Sequence, residues 1–207
     1  MKPKSLLSIF LLGILLGLIY LFLPVDQKTQ DSDKHASHTQ LITSDKPIGG
    51  EFTLSSSTGE HALAEYQGKL VLIYFGYTYC PDICPTNLGN LSVAYQGLTQ
   101  DEKEQLKILF ISVDPERDTV DRLQTYANYF DAGITGLTGT PETLQEITQR
   151  YGVVYARVDD PNNGTNYAVD HSAFTYVVDQ AGRLQTQLPH ATTPDQFTKV
   201  IRQYLNN

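Results

Sequence analysis

The stretch KLVLIYFGYTYCPDICP, Lys69 to Pro85, decides how the rest of this chain is read. Its first half is an unbroken run of leucine, β-branched and aromatic residues, the pattern of a strand buried on both faces at the centre of a sheet. Its second half holds the chain's two cysteines, Cys80 and Cys84, separated by three residues and each followed by proline. If a helix starts around Pro81 to Ile83, Cys80 stands at its mouth and Cys84 one turn in. The sulfurs then share a face at the positive end of the helix dipole, an arrangement expected to favour both thiolates.

Working outward, a second run of the same kind, KILFISVD, covers Lys107 to Asp114. Between the two runs Leu88, Leu91, Ala94, Tyr95 and Leu98 recur at spacings of three and four, an amphipathic helix. Strand, helix and strand make a β-α-β unit with parallel strands and a right-handed crossover. Three more helices declare themselves by their caps. Asp118 or Thr119 opens one with Val120, Leu123, Tyr126, Ala127 and Phe130 as its apolar stripe. Thr140 with Pro141 opens the next, and Thr193 with Gln196 makes a capping box for the last. GVVYARV, AFTYVVD and RLQTQLP read as strands, with a hairpin turn at DQAGR between the last two. Upstream, Glu51 to Lys69 reads as a short hairpin turning at Ser57 to Gly59, then a loop ending at Gly68. A mixed central sheet flanked by helices, with a cysteine pair just after the first long buried strand, is a thioredoxin-like α/β architecture. In open α/β sheets, sites lie beyond the carboxyl ends of the parallel strands, where Tyr77 to Pro85 falls.

This domain is expected to span residues 47–207. Residues 1–24 are of another kind: after Lys2 and Lys4, Leu6 to Leu23 carries no charge. As a helix it would be about 27 Å long, close to the thickness of a bilayer core. It is longer than a signal-peptide apolar region and is followed by no small-x-small cleavage site, so it reads as an uncleaved transmembrane anchor. The lysines before it are expected to place the amino terminus in the cytoplasm and the domain on the extracytoplasmic side. Residues 25–46 are polar and aperiodic, a flexible tether carrying His35 and His38. The net charge of −8, with no run of lysine and arginine, argues against nucleic-acid binding.

Three uses of the cysteines remain open on the residues alone. A structural disulfide would close a very short loop, with little entropy to gain. Thiol-disulfide exchange is possible, but thioredoxin-like enzymes use C-x-x-C and this spacing is one residue wider. Where that fold usually carries a cis-proline before a later strand, this chain has His171. Metal binding is the third use: two thiolates and one imidazole suit Cu(I), and with a weak extra ligand Cu(II), whereas structural zinc would want a fourth protein ligand. His61 and His190 lack such a setting and read as surface residues.

YFGYTYCPDICP, VDPERDT and VDHSAFTYVVD, in this order and spacing, resemble the SCO/SenC family of membrane-anchored copper chaperones. The resemblance runs from about Pro47 to Leu205. It implies a thioredoxin-like fold and copper as the metal, with Cys80, Cys84 and His171 as its ligands. It also implies delivery to the copper-accepting subunit of cytochrome c oxidase, and a pocket or partner surface shaped in part by Asp114. An oxidised cysteine pair binds no copper, so a thioredoxin-like reductant is a further expected partner. A membrane-tethered thiol-disulfide reductase is the alternative. Tyr79 stands where many members have histidine, and Asp159 to Asn166 is expected to face a partner.

Overall fold

A computed structural model describes residues 47–159 and 167–206. The expected anchor, the tether with His35 and His38, and all of the expected partner-facing loop but Asp159 lie outside the described residues.

The long apolar run of the opening stretch forms β3 (Leu70–Gly76), with every residue buried. It pairs in parallel with β4 (Leu106–Ser112), Leu70 opposite Leu106 and Gly76 opposite Ser112. Two strands whose side chains leave water on both faces need cover on both, which fixes a layered architecture. The sheet continues on one side to β5 (Ile134–Leu137), parallel to β4, and on the other to β8 (Thr175–Val178) and β9 (Leu184–Leu188), both antiparallel to their neighbours. The order is β5-β4-β3-β8-β9. Smaller ribbons pair β1 (Thr53–Ser56) with β2 (Gly59–Ala62), and β6 (Tyr155–Asp159) with β7 (Tyr167–His171).

Helix α1 (Ile83–Gln96) follows β3, and its Cys84, Leu88, Leu91 and Ala94 are buried. The short α2 (Gln100–Glu104) precedes β4, and α3 (Val120–Tyr129) follows it. Helix α4 (Pro141–Tyr151) follows β5, and α5 (Pro194–Leu205) packs along α1. The alternation of side chains along β3 sorts the two layers. Tyr74 stacks on Phe110, which packs against Tyr126 of α3, whereas Phe75 points the other way, onto Tyr151 of α4 and Tyr176 of β8. The fold is thus a thioredoxin-like α/β sandwich with a mixed sheet.

Of the two residues that could open α3, Thr119 is the cap: its side chain accepts from the Arg122 N–H. Thr140 and Thr193 cap α4 and α5 as expected, the latter with its capping box complete. The strand expected over GVVYARV starts later, at Tyr155, because Gly152 closes α4 in the left-handed conformation (φ 67°). Three elements were not foreseen: α2, β5 and β7. The first is a single capped turn, and Ile134–Leu137 is too short and too interrupted by Gly136 to announce a strand. Of the described residues, no helix is long and apolar enough to cross a membrane; the apolar run Leu6 to Leu23 lies outside them.

Candidate metal centre

The site lies at the carboxyl end of β3, where the chain leaves the sheet as Tyr77-Thr78-Tyr79-Cys80 and enters α1 at Ile83. Asp82 is the N-cap by position but makes no capping hydrogen bond. A sulfur takes up part of that role: the backbone N–H of Cys84 donates to Cys80 Sγ at 3.4 Å. Cys84 is fully buried, its sulfur pressed against the bare Cα of Gly76. A Cβ built on Gly76 would lie 2.7 Å from Cys84 Sγ and 2.9 Å from Phe110. This is a glycine required by close approach rather than by backbone conformation.

His171 stands at the end of β7, in the separate two-stranded ribbon, paired with Tyr155 of β6. Its Nε2 lies 3.3 Å from Cys84 Sγ. Two tyrosines hold the ring edge-on: Tyr74 at 6.2 Å and Tyr77 at 5.9 Å between centroids. The two sulfurs and one imidazole nitrogen all lie within 4.8 Å of one another. Cys80 and Cys84 are therefore brought together with His171, 87 residues beyond Cys84, and both cysteines are free thiols. No cis peptide bond occurs among the described residues, so His171 occupies its strand entry without the proline device of the redox enzymes.

The expectation that both thiols would be acidified is corrected. Cys80 is held well below the ordinary thiol range, first by the hydrogen bond from the Cys84 thiol, then by those from His171 and the backbone N–H of Cys84, against the opposing effect of burial. Cys84 moves the other way, pushed up because it is the donor to Cys80 and because it is deeply buried beside that charge. One dipole end cannot stabilise two adjacent charges in a dry pocket, so the pair shares one negative charge until a cation neutralises the second.

Asp118, read from sequence only as a possible helix cap, is the residue that ties the cysteine loop to the body. It is fully buried, and its carboxylate accepts from the Thr78 N–H at 3.0 Å, the Thr78 hydroxyl at 2.5 Å and the Ser112 hydroxyl at 2.7 Å. Arg122 donates to the Thr78 hydroxyl at 2.6 Å, closing the network from α3. Burial still pushes the Asp118 carboxyl above its ordinary value, although these donors oppose the shift. The signal was present in VDPERDT: with Thr119 sufficient as a cap, an adjacent aspartate after a buried strand was left over.

Asp114 is not among the converging donors. It is buried, its N–H donates to the Ser112 hydroxyl, and its carboxylate takes Arg117 Nε at 2.5 Å and the Tyr167 hydroxyl at 2.6 Å. It thus joins the β6–β7 ribbon to the end of β4. Tyr79, half exposed, lies under Arg122 and Arg117, with guanidinium carbons 3.9 and 4.6 Å from its ring centre. His190 is exposed, as expected. His61 is not a free surface residue: it is half-buried between Thr58 and Tyr66, bonded at 3.1 and 2.9 Å.

A family model described as SCO1/SenC matches residues 40–206. A SCO2-like protein of Rickettsia conorii is 33% identical over 195 residues, covering 94% of this chain and 94% of that protein. The mitochondrial protein SCO2 of Saccharomyces cerevisiae is 35% identical over 183 residues, 87% of this chain and 59% of that longer protein. Among solved structures, ScoI of Bradyrhizobium japonicum with copper bound matches with a TM-score of 0.69 and 34% identity, covering 76% of this chain and 99% of that one. Yeast Sco1 with copper bound gives 0.70 and 32%, covering 77% and 89%. With a family model spanning most of its length and a relative one-third identical from end to end, the chain belongs to the SCO1/SenC family.

Proposed function

We propose that this protein is a membrane-anchored copper chaperone that carries copper on Cys80, Cys84 and His171 and passes it to the copper-accepting subunit of a cytochrome c oxidase. The observation that carries the reading is the convergence of two sulfurs and one imidazole nitrogen within 4.8 Å of one another. Copper-bound structures of relatives at a third identity support the choice of metal. The donor chemistry agrees with it: two thiolates and one imidazole satisfy Cu(I) with three bonds, and a soft ion so held leaves an open position for an incoming thiolate. The thiolate of Cys80 receives the ion first, and the proton that Cys84 retains leaves as its sulfur binds.

The apolar segment Leu6 to Leu23 serves as a single-pass anchor in a bacterial inner membrane, with residues 25–46 as tether and residues 47–207 on the periplasmic side. Oxidation of Cys80 and Cys84 to a disulfide would block loading, so a thioredoxin-like dithiol must return two electrons and two protons whenever the pair has been oxidised. The acidified Cys80 thiol also fits a second reading, a tethered reductase that keeps the acceptor's cysteines reduced.

Titration of the reduced full chain with Cu(I), read by metal analysis and copper-edge absorption, tests the first reading and separates it from the second. One copper per chain with two sulfurs and one nitrogen is expected. The double variant Cys80→Ser, Cys84→Ser should load none, and full occupancy in it would refute the assignment. His171→Ala should weaken loading while leaving reduction of a model disulfide intact. A chain whose function needs only the thiols would tolerate that change in every assay.

A further inference from the structure

Two polar atoms beside the sulfurs have no hydrogen-bond partner among the described residues: the Tyr74 hydroxyl and His171 Nδ1. Tyr74 is fully buried in β3, stacked on Phe110 and edge-on to the His171 ring. Its ring edge and the Cys84 sulfur meet at the same point, the empty Cβ position of Gly76, 3.2 and 2.7 Å away. A phenylalanine would fill this space equally well without stranding an O–H, and a stranded buried hydroxyl is destabilising. The sulfur that shares this cleft with the Tyr74 ring is Cys84 Sγ, and the ring of the third candidate ligand, His171, lies edge-on beside it.

We propose that Tyr74 is a positioning and tuning residue for the metal site, whose O–H donates to Cys84 Sγ once that sulfur is a metal-bound thiolate. The inference rests on the copper reading above and goes beyond it in assigning a role to a group that is not a ligand. A hydrogen bond to a thiolate withdraws electron density from sulfur, so the sulfur donates less to Cu(II), the more electron-poor ion. The bond thus favours Cu(I) over Cu(II) at this site. The sulfur of Cys80 accepts the backbone N–H of Cys84.

The test uses the full chain with Tyr74→Phe, loaded with Cu(II) for the thiolate-to-copper charge-transfer band and poised electrochemically for the Cu(II)/Cu(I) potential. Removal of the oxygen should leave the stoichiometry at one copper, move the band to longer wavelength and raise Cu(II) affinity relative to Cu(I) about tenfold, equivalent to about 59 mV lower in potential. Tyr176→Phe is the control, because its hydroxyl is also buried and unpartnered but its ring packs on the opposite face of the sheet, against Phe75 and Tyr151. It should move neither readout. Site-specific 3-fluorotyrosine at position 74, a more acidic phenol of almost the same size, should shift the band the opposite way and serves if Tyr74→Phe folds poorly. A band and potential unmoved by both replacements would overturn the proposal, as would an equal shift from Tyr176→Phe. Failure of the unaltered chain to bind copper would instead sink the chaperone reading, a result visible in the stoichiometry alone.

Discussion

The two halves of the metal site are built to different standards. The cysteine half is embedded: Cys84 and Gly76 touch inside the core, and the loop before Cys80 is bolted through Thr78 to the buried carboxylate of Asp118. The histidine half hangs on a two-stranded ribbon whose β6 is exposed over four of its five residues. That ribbon meets the body through the buried Val169, the Tyr167–Asp114 hydrogen bond and Arg117, which donates to the Tyr167 carbonyl at 2.9 Å. An isolated two-stranded hairpin is marginal in water, and exposed backbone pairing marks the low end of local stability. On the chaperone reading proposed above, the contrast suggests how a carrier would both hold and release: two of the candidate ligands are set by the fold, and the third sits on a ribbon placed to act as a latch.

The comparison breaks most severely if the cysteine half is unbolted. Asp118→Ala leaves the Thr78 N–H, the Thr78 hydroxyl and the Ser112 hydroxyl without their shared acceptor, and a loss of about 3 kcal/mol of global stability is expected. Urea unfolding with fluorescence measures it. The acidity of Asp118 adds a signature. Because burial raises its folded-state value, the native protein binds more protons than the unfolded one in the interval between the two values. Stability attributable to this group therefore falls as pH rises through that interval, and is highest below it. Asp118→Asn should erase that slope; a variant with an unchanged pH profile would show that the carboxyl titrates as it does in water.

Next in size is Gly76→Ala. One methyl group placed 2.7 Å from Cys84 Sγ and 2.9 Å from Phe110 overpacks a site with no slack, at a cost of about 2 kcal/mol. More telling than the stability loss is its direction: the sulfur must move while His171 stays, so the ligand triangle opens from the rigid side. Cu(I) competition against a chromophoric chelator should show weaker binding, and binding equal to the unaltered chain would mean that the cysteine half is as adjustable as the ribbon.

The same contrast explains what could be read from the sequence. The embedded half was legible because its determinants are local and periodic: the apolar run of β3, the helix spacing of Leu88 and Leu91, and caps at Thr140 and Thr193 all act within a few residues of where they stand. His171 was legible for its place before a strand and through the family resemblance, not from the geometry of the ribbon that carries it. Strand β7 itself was missed, because Tyr167 and Val169 turn inward beneath a ribbon whose partner β6 shows no apolar alternation. Asp118 escaped as well, since its partners Thr78 and Ser112 are 40 and 6 residues away and only the folded sheet brings them to one carboxylate. The split acidity of the thiols was likewise hidden, as it depends on burial and on which sulfur receives the helix N–H.

The smallest effect sharpens the comparison most. Tyr167→Phe removes one hydroxyl from a half-exposed ring, leaving the Arg117 and Arg157 guanidinium groups stacked on it at 3.5 and 3.8 Å from its centre. What is lost is the 2.6 Å bond to Asp114, which joins the ribbon to the end of β4. A hydrogen bond to a carboxylate at a partly wetted site contributes about 1 kcal/mol. If the ribbon is a latch, that loss eases the undocking of β6–β7 from an otherwise folded sheet, and global unfolding, which breaks the same bond, becomes easier by the same amount. Amide exchange across β6–β7 should already be faster than across β3 and β4 in the unaltered chain, and should accelerate about fivefold on the substitution. Copper dissociation should quicken by a similar factor, since His171 leaves with its strand. Ribbon amides that exchange as slowly as those of β3 and β4 in the unaltered chain would show instead that the two halves open together, and the division of the site into an anchored pair and a movable third ligand would fail.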